Sequence, residues 1–127
     1  PGVLVIQIDG ERTSFVSGER LTGGVAWHLE KEPRGMDLRL FWYTSGMGTQ
    51  DVGIVQEMHI ETPALGGDRR FTFTLPDRPY SAVGQYLTIH WAMELVTSDG
   101  KKSQRAELVM SPSGQPVTLG EPAERDT

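Results

Sequence analysis

Gln85-Tyr86-Leu87-Thr88-Ile89-His90-Trp91-Ala92-Met93-Glu94-Leu95-Val96 is the stretch on which the fold turns. Leu87, Ile89, Trp91, Met93 and Leu95 share one face of it, and Thr88, His90, Ala92 and Glu94 share the other. A period of two belongs to a half-buried strand, because successive side chains of an extended chain point to opposite sides. Ser98-Asp99-Gly100-Lys101 follows at once. Asp-Gly supplies the positive φ that short hairpin turns need, so a return strand is expected over roughly Ser103 to Met110.

The same period recurs upstream. Phe71-Thr72-Phe73-Thr74-Leu75 alternates without a fault, after a loop from Pro63 to Asp68. A strand from about Val52 to Ile60 follows the loop Ser45-Gly46-Met47-Gly48-Thr49-Gln50. Pro33-Arg34-Gly35 breaks the chain, after which Leu38, Leu40 and Trp42 alternate with Arg39, Phe41 and Tyr43. From Leu21 to Leu29 the odd positions carry the large apolar groups, and Val3 to Ile8 is a β-branched run closed by Asp9-Gly10. Beyond Ser111 only Val117-Thr118-Leu119 suggests a short edge strand. No segment keeps helical spacing. The expectation is an all-β, immunoglobulin-like β-sandwich of about seven antiparallel strands over residues 1–119, with 120–127 a flexible C-terminal tail.

Composition agrees with that class. The 127 residues suit one domain, and 37% hydrophobic with 23% charged residues is an ordinary globular balance. Fifteen Gly and eight Pro fit many tight turns. A net charge of −5 and a pI near 5.1 offer no footprint for phosphate backbones, so nucleic acid is not an expected partner. Without Cys, thiol catalysis, Cys-ligated zinc and disulfides are excluded. That absence fits any compartment; the cytoplasm is favoured. No apolar run approaches the roughly 20 residues that span a bilayer. The chain begins at Pro1, as expected of a processed product or an excised segment.

Two stretches carry a family likeness. Gly18-Glu19-Arg20-Leu21-Thr22-Gly23-Gly24-Val25 resembles the glycine-bounded approach to the second strand of the arrestin-like superfamily. Phe71, Phe73, Leu75-Pro76, Pro79, Ser81, Gly84, Ile89 and Trp91 are similar to that family's aromatic strand, Leu-Pro turn, Pro-x-Ser and Gly before a long apolar strand. The spacing has a physical basis: Pro76 and Pro79 stiffen the crossing between sheets, and Gly84 permits the bend into the next strand. The superfamily includes the amino-terminal arrestin domain and the retromer and sporulation-control sandwiches. Arrestins use two such domains, and this chain has length for one. The resemblance implies a single arrestin-like domain acting as an interaction scaffold, and carries no receptor or phosphate site onto any residue.

Candidate chemistry is sparse. His28, His59 and His90 sit on the polar parity of their strands, and an immunoglobulin-like order puts His28 and His90 on opposite outer surfaces, whereas a metal needs three or four converging ligands. Asp37, Asp51, Glu57 and Glu61 form no pair whose spacing compels convergence. Ser81 lacks a Gly-x-Ser-x-Gly elbow. Gly46-Met47-Gly48 lacks the Lys-Ser/Thr of a phosphate loop. No catalytic residue, metal or cofactor is expected.

The aromatics say more. Trp27, Trp42 and Trp91 fall on the apolar parity, so they read as core, and Trp42 and Trp91 are expected to be buried neighbours. Phe41 and Tyr43 fall on the outward parity beside Arg39. Three arrangements accommodate them: cover by a long loop, packing on an extra strand, or a docking or dimer surface. The expected function is a non-catalytic protein-interaction or scaffold module, its partner another protein or a second copy, with Arg39, Phe41 and Tyr43 as the candidate surface. The alternatives are a carbohydrate-binding module, against which the inward Trp parity argues, or an accessory β-sandwich domain of a larger enzyme or membrane protein.

Overall fold

A computed structural model describes residues 2–118, apart from 47, 49, 62 and 85. The expected tail at 120–127 lies outside the described residues. Ten strands follow one another: β1 Val3–Ile8, β2 Ser14–Val16, β3 Arg20–His28, β4 Gly35–Gly46, β5 Val52–Glu61, β6 Gly66–Thr74, β7 Ala82–Val83, β8 Leu87–Thr97, β9 Ser103–Ser111 and β10 Val117–Thr118. A 3-10 turn at Asp9–Glu11 is the only helical element among the described residues, and none is long and apolar enough to cross a membrane.

The strands form two sheets. The smaller has the order β1-β3-β6. The larger runs β5-β4-β8, with β9 and then β2 on the far edge of β8, and β7 with β10 taking up that edge beyond β9. Its long neighbours pair antiparallel, while the short β2 and β10 join parallel. The expected long strands are all present; β2, β7 and β10 complete the edges.

Local chemistry explains the turns. Gly100 adopts φ 74°, as the Asp-Gly dipeptide requires, and Asp99 Oδ1 accepts hydrogen bonds from the Lys101 N–H at 2.9 Å and the Thr97 hydroxyl at 2.7 Å. That ring of bonds fixes the β8–β9 register. Near the middle of β8, the Trp91 indole N–H donates to the Pro79 carbonyl at 2.7 Å. The Pro-rich crossing is thereby tied to the core.

The core lies between the sheets. Leu21, Val25, Trp27, Phe71 and Phe73 come from the smaller sheet, and Met36, Leu38, Leu40, Ile60, Trp91, Met93, Leu95, Leu108 and Met110 from the larger. These are the alternate positions of their strands, as two facing sheets demand. Trp42 lies opposite Trp91 in the β4–β8 register; Trp91 is fully buried and Trp42 partly so.

One irregularity shapes the large sheet. Leu40 pairs with Gln56 but Phe41 pairs with Ile54, so β5 carries an extra residue, Val55, as a β-bulge. A bulge reverses the parity of the strand on one side of it. Met58 and Ile60 therefore face inward, whereas Val52 and Ile54 face outward beside Tyr43 and Phe41.

Candidate functional site

The outer face of the large sheet divides into two zones, read off the registers of β5, β4, β8 and β9. Toward the Gly35 end of β4 lie the charged residues: His59 beside Asp37, then Glu57, Arg39, Glu94 and Arg105 abreast. Toward its Gly46 end lie Ile54, Phe41, Ala92 and Glu107 abreast, then Val52, Tyr43 and His90.

The second zone is built around Tyr43. Its ring stacks on His90 with centroids 4.6 Å apart at 14°, and tilts against Phe41 at 5.9 Å. Its hydroxyl lies 3.1 Å and 3.2 Å from the two carboxylate oxygens of Glu107. His90 Nε2 is 2.7 Å from the Ser45 hydroxyl, which holds the imidazole flat against the tyrosine. The Arg105 guanidinium rests over Phe41 and Tyr43, 5.2 Å from each ring centroid. Such a cation over aromatic faces contributes on the order of 0.5–1 kcal/mol at exposed sites. Burial, then the hydrogen bond and charge of Glu107, raise the Tyr43 phenol above its ordinary value, against an opposing effect of Arg105.

This arrangement places the three sequence candidates differently. Tyr43 lies at the centre, half-buried. Arg39 belongs to the charged zone, bonded to Glu57 at 2.8 Å and lying 3.6 Å from Asp37. Phe41 is on the outer face, but it is only 6% exposed. It forms the floor under Arg105. The exposed apolar groups are instead Ile54 and Val52, at 54% and 64%. Sequence reading missed these two, together with Arg105, Glu107 and His90 as members of one cluster. The signal available was the outward parity that β8 and β9 share with Phe41 and Tyr43; the bulge gave none.

The other candidates resolve into structure. His59 Nδ1 is 2.7 Å from Asp37, His90 is held by Tyr43 and Ser45, and His28 is exposed on the smaller sheet. Among the described residues no three His, Asp or Glu side chains gather where they could hold a metal. The Ser81 hydroxyl is buried and accepts the Met110 N–H at 2.9 Å, so it fastens β9 to the β7 edge. Trp27 donates its indole N–H to the Ala64 carbonyl at 2.9 Å and is 7% exposed, so this indole offers no open face to a sugar ring. On the smaller sheet, Val5, Gln7, Gly24, Ala26 and the ion pair of Asp9 with Arg70 line an open depression of about 470 Å³.

No family model matches the sequence, and no curated protein matches it either. Among solved structures the chain is similar to Spo0M, a sporulation control protein from Bacillus subtilis, at 19% identity with a TM-score of 0.60. The similarity covers 87% of this chain and 49% of that one, so the chain spans about half the length of its structural relative. At this identity the likeness is one of backbone architecture. Two facing sheets with this strand order, period-two cores and a Pro-rich crossing into the apolar strand β8 make the fold of this chain an all-β, arrestin-like sandwich.

Proposed function

We propose that this chain is a non-catalytic protein-interaction module that docks its partner on the apolar end of the large sheet's outer face. One observation carries the reading: Val52 and Ile54, the bulge-turned aliphatic pair, stand exposed beside an aromatic–arginine cluster whose side chains are already fixed. Interface energy concentrates in a few aromatic and Arg anchors surrounded by apolar contacts. Anchors held in place beforehand lose little conformational freedom on binding. Tyr43, His90 and Arg105 hold one another, so a partner meets a surface that needs little ordering.

The test is a pair of variants, Val52→Asn with Ile54→Asn. Both side chains are exposed, so the fold should persist, with an unchanged circular dichroism spectrum and a melting temperature within a few degrees. Partner retention by tagged protein, or self-association in sedimentation, should be lost. Retention at the wild-type level with the fold intact would overturn the reading.

A further inference from the structure

Resting on that docking reading, we infer that the partner presents a cationic, aliphatic segment, with Lys or Arg side chains flanking the apolar residue that covers Ile54 and Tyr43. The carboxylates of the outer face outnumber its guanidinium groups. Arg39 is shared by Glu57 at 2.8 Å and Asp37 at 3.6 Å; Arg105 is shared by Glu94 at 3.8 Å and Glu107 at 4.0 Å. Four carboxylates thus divide two guanidinium groups, an excess of two acidic groups among these six side chains.

The residual charge is placed usefully. Glu107 and Glu57 have the most exposed carboxylate side chains of the four, at 54% and 49%. They flank the apolar zone from its two borders: Glu107 bonds to Tyr43 at the β9 border, and on β5 Glu57 follows the bulge that Ile54 precedes. Arg105 cannot neutralise an incoming acid at little cost, because its guanidinium is already spread over two rings. An acidic segment would meet like charges on both flanks, and a second copy docking face to face would bring the same excess against itself. A cationic segment finds a carboxylate on each side of its apolar contact, and the chain's net charge of −5 draws it in from longer range.

Two labelled twelve-residue peptides test this, one alternating Leu with Lys and the other Leu with Glu, titrated by fluorescence anisotropy against the whole chain. The Lys peptide should bind saturably and weaken several-fold between 20 and about 200 mM salt, as screening of exposed charges requires. The variant pair Glu57→Gln with Glu107→Gln should weaken it at least tenfold. The pair Glu11→Gln with Glu32→Gln, which removes the same charge elsewhere, should change it less than twofold. No saturable binding of the Lys peptide, equal binding of the Glu peptide, or equal weakening by the control pair would each overturn the inference. Weakening by Ile54→Asn without weakening by Glu57→Gln and Glu107→Gln would overturn the cationic partner and leave the docking surface standing. Weakening by the Gln pair with none by Ile54→Asn would overturn the docking surface itself.

Discussion

Replacing Gly53 by Ala would put a methyl carbon about 2.3 Å from the ring atoms of Trp42. Carbon atoms pack at about 3.5–4.0 Å, so the indole would have to withdraw by more than an ångström. Trp42 lies against the core beside fully buried Trp91 and has little room to give. Overpacking of this kind costs about 1–3 kcal/mol. Against it stands the intrinsic preference of a strand for Ala over Gly, roughly 0.5–1 kcal/mol. The sign of the effect should therefore depend on residue 42. In the wild-type background Gly53→Ala destabilises; with Trp42→Ala already present the clash is gone and Gly53→Ala should stabilise slightly. The two changes should couple by about 1–3 kcal/mol, as contacting residues do. Trp42→Ala alone should cost less than the roughly 3–5 kcal/mol of a fully buried indole, so a domain of about 5–15 kcal/mol remains folded enough to measure. Urea unfolding of the four proteins by far-ultraviolet circular dichroism gives the cycle. Equal costs of Gly53→Ala in both backgrounds, within about 0.5 kcal/mol, would refute the idea that Gly53 exists to seat Trp42.

Three further outcomes follow from the same geometry. Trp91→Ala should cost about 3–5 kcal/mol in urea melts and Trp91→Phe distinctly less, since Phe keeps most of the packing and loses only the bond to Pro79; a loss under about 1 kcal/mol for the Ala variant would show that Trp91 is not a core anchor. The Tyr43 phenol is raised in the folded state, so the unfolded chain ionises first: the stability it contributes is present below about pH 10 and lost as pH rises through the higher folded value. Tyr43→Phe should remove that part of the alkaline decline in stability, and an unaltered decline would refute the assignment. Chelation with EDTA should leave the melting temperature unchanged, because ligand-dependent stability would follow mass action; a fall of several degrees restored by zinc or calcium would reveal a metal site.

How far the sequence reached depends on what its period could encode. Alternation through Leu87 to Leu95, Leu38 to Trp42 and Phe71 to Leu75 gave the core face of each long strand, and the structure buries Trp91, Met93, Leu95, Leu38, Leu40, Phe71, Phe73 and Leu75 there. Strands of two or three residues carry no period, which is why β2 and β7 emerge only with their partners. Parity also placed Tyr43, Phe41 and Arg39 on one outward side of β4, because side-chain direction is local to a strand.

What covers that side is not local. A strict period of two through Val52, Ile54, Met58 and Ile60 would put all four on one face. The extra residue at Val55 breaks that face in half and turns Val52 and Ile54 to solvent. Nothing in the local sequence distinguishes a bulge from a regular strand, since the choice rests on hydrogen bonding to β4. Likewise Arg105 reaches Phe41 only because β8 lies between β9 and β4 in one register, which turns an outward aromatic into a covered floor. Alternation along each strand settles which residues can lie inside, because burial of alternate side chains follows from the extended backbone. Which outward residues meet depends on strand order, register and the bulge, all fixed by pairing between segments far apart in the chain.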